Sequence, residues 1–258
     1  MIRRLRTDLA LAIGFFTRLP VGWLMPRDPA IAMGRAIWAF PVAGALVGLL
    51  GAAAYTGADR LGLSPLLSAC WTLAAMLVLT GGLHEDGLAD TMDALGGGGD
   101  IDRRLAIMRD SRIGSYGAMA LLASSLLRVS AIATLADPRL VALALVASCM
   151  LSRAAIILVV RLSPPARAGG LAALLHPLGL RAAGLGLVLT VIAIPPLVSV
   201  AVAPVLLGGA LLCGVGVARL CVRQFGGHTG DVLGACSVVT EAVLLTICCT
   251  SWSGLRPG

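Results

Sequence analysis

Apolar stretches of roughly 17–21 residues recur along the whole chain, and this length is what constrains the fold most. A hydrocarbon core ~30 Å thick is crossed by about 20 helical residues at ~1.5 Å each. Of the 258 residues, 58% are hydrophobic and only 13% are charged, whereas a water-soluble fold of this size needs far more charge on its surface. The expected class is therefore all-α, a polytopic integral membrane helical bundle with about seven transmembrane helices. The sequence places them near 36–56, 64–82, 117–135, 140–160, 186–202, 204–218 and 232–250. No Ser- or Pro-rich linker divides the chain, so a single membrane-embedded domain is expected over 1–258.

All twenty basic residues are Arg, and most flank the apolar stretches. With the N-terminus inside, fifteen of them fall in inside segments, against Arg60, Arg139 and Arg256 outside, while Arg128 and Arg153 remain within spans. That asymmetry selects a multi-pass inner-membrane protein with a cytosolic N-terminus. It also accounts for the net charge of +7 without a nucleic-acid partner. The seven Cys show neither a C-x-x-C pair nor the spacing of a secreted disulfide scaffold, and read as small core residues. Arg3, Arg4 and Arg6 precede a short apolar run, Leu9 to Phe16, that Arg18 follows and no cleavage site ends. This fits a helix lying at the membrane interface. Pro41, Pro195, Pro196 and Pro204 are expected to kink or end their helices.

Seven of the thirteen acidic residues lie between positions 85 and 110. Among them Asp86, Asp90 and Asp93 stand at i, i+4 and i+7, which puts three carboxylates on one face of a helix. Like charges so arranged repel, and oxygen-rich clusters of this kind suit Mg²⁺ shared with substrate phosphates. A run of four glycines, Gly96 to Gly99, follows. Beyond it Arg103, Arg104, Arg109 and Arg112 are guanidinium donors suited to gripping phosphate. Together these features point to phosphoryl transfer in one loop, about 83–116, facing the cytosol. The alternative is a charged interfacial loop whose Asp and Arg pair only with one another.

His84 precedes the carboxylates and is either a base or ligand, or a helix-end residue that only hydrogen-bonds. An unpaired charge within a span is costly, so Arg128 and Arg153 must face a polar cavity or reach a surface, and Arg153 reads as cavity-facing. Near the C-terminus Gly226 to Asp231 forms a second polar knot, with Asp231 placed as a helix cap. Glu241, ten residues into the following apolar helix, needs a partner or a function. His176, before Pro177, reads as structural.

These segments resemble the cobalamin synthase family, the adenosylcobinamide-GDP ribazoletransferases. The family pattern G-G-x-H-x-D-G-x-A-D-x-x-D-G is met by Gly81 to Asp93, and R-R-L-x-I-M-K/R-D-S-R-I-G by Arg103 to Gly114. Phe16 to Pro20, Phe40-Pro41 with Gly44, and Gly226 to Ala235 extend the likeness over most of the chain. Ala94 stands where the family usually has Gly, and Glu85 where it has an apolar residue. The resemblance implies transfer of the adenosylcobinamide phosphate moiety from adenosylcobinamide-GDP to α-ribazole or its 5′-phosphate, releasing GMP, with Mg²⁺ as cofactor. It implies His84, Asp86, Asp90 and Asp93 as catalytic, the three Asp as metal ligands, and either His84 or a motif Asp as the group that takes the proton. Candidate substrate contacts are Arg103, Arg104, Arg109, Asp110, Ser111, Arg112, Arg153, His228, Asp231 and Glu241. Its partners are these substrates and the lipid bilayer, and homo-oligomerisation is left open.

Two other readings compete. A phosphotransferase acting on CDP-alcohols carries D-G-x-x-A-R, but Thr91 stands where that Arg is required. A transporter places its coupling carboxylates near mid-membrane, whereas this acidic cluster follows a span.

Overall fold

The computed structural model of the chain describes residues 2–24, 30–167, 169, 170 and 172–252. Arg27 and Arg256, counted above for topology, lie outside the described residues. Among the described residues eleven α-helices follow one another: α1 (Ile2–Phe16), α2 (Ala30–Ala36), α3 (Phe40–Arg60), α4 (Pro65–Thr80), α5 (Leu83–Gly96), α6 (Ile101–Ile107), α7 (Ser115–Leu135), α8 (Pro138–Leu162), α9 (Leu180–Val198), α10 (Ala203–Phe225) and α11 (Gly230–Ser251). No strand forms among the described residues. Six helical stretches among the described residues are long and apolar enough to cross a membrane, and α4 with α5 makes a seventh if that bent pair is one span. The all-α, multi-pass membrane bundle expected from hydropathy is the architecture observed.

α8 is the axis of the bundle: 89% of its most apolar window is buried, against 28% for α7, α9 and α10. A helix apolar on every side belongs in such a place. α3 lies along it at close range. Gly44 and Gly48, four residues apart, face the backbone of Cys149 and Leu145, and a methyl group on either would collide with those carbonyls. This is the small-residue packing by which membrane helices associate. α1 is longer than the apolar run alone suggested, and it packs on the bundle with Leu11 and Phe16 buried. Its Asp8 accepts hydrogen bonds from Arg35 (2.7 Å) and from the Trp38 indole (3.2 Å).

The prolines act as starts and stops. Pro41, Pro65, Pro138 and Pro204 sit in first turns, where their missing N–H costs nothing. Pro195 and Pro196 fall in the last turns of α9, which stops at Val198. Consequently α9 ends earlier than the 186–202 stretch suggested, and α10 runs on past 218 to Phe225, taking Arg219 and Arg223 into its final turns.

The polar segments gather at one end of the bundle. Arg18 N–H donates to Leu79 O (2.8 Å), His228 N–H to Pro164 O (2.8 Å), and Arg104 Nη1 to Gln224 O (3.4 Å). At the opposite end the Tyr55 hydroxyl donates to Ala136 O (2.9 Å). Both polar motifs singled out in the sequence thus share one face of the molecule.

Candidate active site

The acidic helix is set by two consecutive glycines. Gly81 caps α4 in the left-handed conformation (φ +69°) and Gly82 repeats it (φ +68°), so α5 leaves the α4 axis at 91°. α5 then packs along α7 and α11, from Glu85 beside Arg128 well inside α7 and Leu88 against Val238 of α11 to Asp93 at the first turn of α7. Gly87 packs on the Asp231 backbone, where an added methyl would come within 2.6 Å of its carbonyl oxygen, and Gly234 packs on the backbone of His84. This close approach brings Asp231 of α11 alongside Asp86 and Asp90.

A cavity of about 680 Å³ opens here, lined by Phe15, Thr17, Arg18, Asp86, Asp90 and Ser111 among others. Burial first, and then the neighbouring Asp86, Asp231 and Asp93, push the Asp90 carboxyl up to about 6. Carboxylates crowded together in a cleft that a guanidinium also lines are the kind of arrangement that marks a reaction site.

Asp93 is placed differently. Its Oδ2 accepts from Gly114 N–H (2.7 Å) and its Oδ1 from Gly117 N–H (2.8 Å), so the carboxylate caps the N-terminus of α7. Neither glycine could carry a side chain without striking it. Asp93 therefore ties the loop 97–114 and α7 to the acidic helix. Among the described residues no group of three His, Cys, Asp or Glu side chains stands close enough to hold a metal ion by itself. The one-face spacing of the three Asp is present, but a neighbouring helix end engages the third.

The Arg-rich run is a short helix and turn. Asp100 caps α6 by accepting from Arg103 N–H (2.9 Å). Arg103 is exposed, and Arg104 reaches the end of α10. Ser111 reaches the large cavity, whereas Arg112 turns outward and pairs with Asp110 (2.6 Å). That hydrogen-bonded guanidinium holds the Asp110 carboxyl down at about 2. Arg109 lies near Arg167, a residue of the α8–α9 connection.

Beneath the acidic helix runs a buried ionic network. Arg128 donates to Glu85 (2.8 Å) and lies 3.5 Å from Glu241, which pairs in turn with Arg153 (3.2 Å). Arg153 Nη2 stands 3.4 Å from His84 Nδ1, and its guanidinium sits 5.7 Å from the centre of the Phe16 ring. Both span arginines thus find carboxylates in the interior, and Glu85 and Glu241 find their partners there. Arg153, Glu241 and His84 are buried side chains of this network and do not line the large cavity.

His228 and Asp231 line a second, smaller cavity with Arg167 and Thr229. Two charged cavity residues were given no place in the site by the sequence. Arg18 was visible only as a charge after an apolar run, and Arg167 only as a count toward topology. The motif Phe16 to Pro20 was the available signal for the first; for the second there was none.

The family model described as cobalamin-5-phosphate synthase matches residues 8–249. The adenosylcobinamide-GDP ribazoletransferase of Bradyrhizobium diazoefficiens is 48% identical over 253 residues, covering 95% of this chain and 94% of its own. That of Mesorhizobium japonicum is 44% identical over 248 residues, covering 95% and 93%. No solved structure matches significantly. With a match over nearly its full length and with relatives this similar, the chain belongs to the cobalamin-5-phosphate synthase family.

Proposed function

We propose that the protein transfers the adenosylcobinamide phosphate moiety of adenosylcobinamide-GDP to a ribose hydroxyl of α-ribazole or its 5′-phosphate, with release of GMP. The observation that carries the reading is the large cavity, where Asp86, Asp90, Arg18 and Ser111 converge. A hydroxyl attacks the phosphorus next to cobinamide as its proton passes to a carboxylate of the cavity wall, Asp86 or Asp90, and the oxygen bridging to GMP leaves with its electrons. Such displacement depends on positioning and on countering charge over the phosphate oxygens. Arg18 supplies a bidentate guanidinium to those oxygens and Ser111 a hydroxyl donor. Asp93 contributes by fixing the loop that carries Ser111 against α5.

Mg²⁺ fits this wall. Asp86 and Asp90 are one helical turn apart, and a cation relieves the carboxylate crowding that, after burial, raises the Asp90 carboxyl. Two carboxylates suffice when substrate phosphates and water complete the coordination, which is how Mg²⁺ usually binds. The ion would offset phosphate charge and polarise the phosphorus under attack. Asp93, with both oxygens already engaged, serves as the anchor of this wall and not as a third ligand.

The Arg asymmetry supports an inner-membrane location with the cavity on the cytosolic side. Large polar substrates then reach it without entering lipid. The test is incubation of the purified protein in lipid vesicles with adenosylcobinamide-GDP, α-ribazole and Mg²⁺, followed by mass spectrometry. A product of cobalamin mass supports the reading, and recovery of both substrates intact refutes it.

A further inference from the structure

Where the second half of α10 runs beside the last residue of α8 there is a groove of about 440 Å³, which shares no residue with the two cavities described above. It is lined by Leu162 of α8 and by Val215, Ala218, Arg219, Val222 and Arg223 of α10. The α10 positions are three, four and seven residues apart, so they form one stripe of the helix. Val215 sits near the middle of α10 and Arg223 two residues from its end, ~12 Å further along the axis at ~1.5 Å per residue. The groove therefore grades from apolar walls inside the bilayer to two guanidinium groups at its edge.

The charged end has nothing of its own to pair with. Among the described residues the ion pairs involve Arg35, Arg112, Arg128 and Arg153, and none reaches Arg219 or Arg223, which are both exposed. Arg161, next in the chain to Leu162, is exposed and outside those pairs as well. Like charges one turn apart on a helix repel, and a phosphate that accepts from both guanidinium groups relieves this. The apolar end says what carries that phosphate. Most of α10 faces out of the bundle. Its exposed Leu212 continues the stripe two turns before Arg219, and Gly208 and Gly216 beside it leave open space where a side chain would stand. An acyl chain can lie in this lane with its headgroup at the arginines. A free anion would use the charged end alone, and a zwitterionic lipid would set its own ammonium against the arginines. A lipid of net negative charge satisfies both ends, as in other basic pockets between membrane helices.

We infer that the groove between the end of α8 and the second half of α10 is a binding site for one anionic phospholipid, with Arg219 and Arg223 on its phosphate and Leu162, Val215 and Ala218 along the first part of an acyl chain. The inference goes beyond the transferase reading and stands independently of it.

The test titrates the full chain in detergent with phosphatidylglycerol and with phosphatidylcholine of the same acyl chains, and reads bound lipid by native mass spectrometry. Wild type should bind the first phosphatidylglycerol about tenfold tighter than phosphatidylcholine. Arg219→Gln combined with Arg223→Gln should weaken phosphatidylglycerol binding about tenfold or more, as loss of charge-assisted hydrogen bonds predicts, and leave phosphatidylcholine within about twofold. Both side chains are exposed, so the fold is not at stake, and the corresponding pair of Lys substitutions should keep most of the binding. Arg3→Gln combined with Arg4→Gln removes the same charge from exposed positions outside the groove and should stay within about twofold of wild type. Excess inorganic phosphate should not displace the lipid, since it cannot use the apolar walls. Four results overturn the inference: no preference between the two lipids in wild type, equal losses in the two double Gln variants, displacement by inorganic phosphate, or a loss of dimer mass in place of lipid when Arg219 and Arg223 are replaced. The second would reduce the effect to surface charge, the third would make the groove a site for free anions, and the fourth would give it to a second copy of the chain.

Discussion

Replacing Asp93 by Asn separates an anchor from a metal ligand. In the structure the two carboxylate oxygens take N–H groups of Gly114 and Gly117 at 2.7 and 2.8 Å. Asn offers one oxygen and one NH₂, so one of those two donors is left facing another donor. Loss of a charge-assisted hydrogen bond costs about 1.5–3 kcal/mol, and loss of negative charge at the start of α7 about 0.3–1 kcal/mol more. The expected destabilisation is therefore roughly 2–4 kcal/mol, or about 5–15 °C in Tm for a chain of this size. Activity should fall as well, because the loop bearing Ser111 loosens from α5. The Mg²⁺ concentration for half-maximal rate should move less than in Asp86→Asn, whose carboxylate faces the cavity. Gly117→Ala gives an independent check, since its methyl would strike the same carboxylate and should reproduce the Tm loss with all three Asp intact. The assay is thermal unfolding in detergent together with initial rates across a Mg²⁺ series. If Asp93→Asn kept the wild-type Tm and only raised the Mg²⁺ requirement, Asp93 would be a ligand and the anchor assignment would fail.

Three further outcomes follow from the same geometry. Glu241→Gln removes the carboxylate shared by Arg128 and Arg153 and should cost about 3–5 kcal/mol, as breaking a buried ion pair does, seen as a large drop in Tm or in folded yield; a Tm within 2 °C or so of wild type would contradict it. Arg18→Lys should lower kcat/KM for adenosylcobinamide-GDP about ten- to a hundredfold through loss of bidentate phosphate contact, a larger effect than that of Arg112→Lys, whose partner is the exposed Asp110; equal effects would remove Arg18 from the phosphate site. For His228 the folded pKa of about 4 lies below the ordinary 6.5, so the unfolded chain binds the extra proton first. Its contribution to stability is complete above about pH 6.5 and is lost as pH falls toward 4. The Tm of His228→Asn should accordingly vary less across that window than the wild-type Tm, and parallel curves would refute the assignment.

Most of the helical order was legible because span length and hydropathy are local properties. The acidic helix, too, appears where three Asp at helical spacing put it. What local pattern could not supply was the surroundings of each charge. The 3.6-residue period places Asp93 on the face of Asp86 and Asp90, but only the folded chain brings Gly114 and Gly117 against it. Likewise Glu241 was conspicuous as a carboxylate in an apolar helix, yet its partners Arg128 and Arg153 come from α7 and α8. α10 runs beyond the apolar stretch 204–218 because Arg219 and Arg223 continue the helix with their side chains turned to the surface. Arg18 reached no site list because its contact with the Gly81 turn joins segments more than sixty residues apart.

The most direct test of the account counts products. Protein in vesicles receives adenosylcobinamide-GDP and Mg²⁺, with and without α-ribazole 5′-phosphate, and GMP and corrinoid products are quantified from the same samples by liquid chromatography. A transferase built on this site should form one GMP for each cobalamin phosphate, release no GMP without the acceptor, and lose both products in Asp86→Asn. GMP released at the same rate without acceptor, or a product ratio far from one to one, would contradict it.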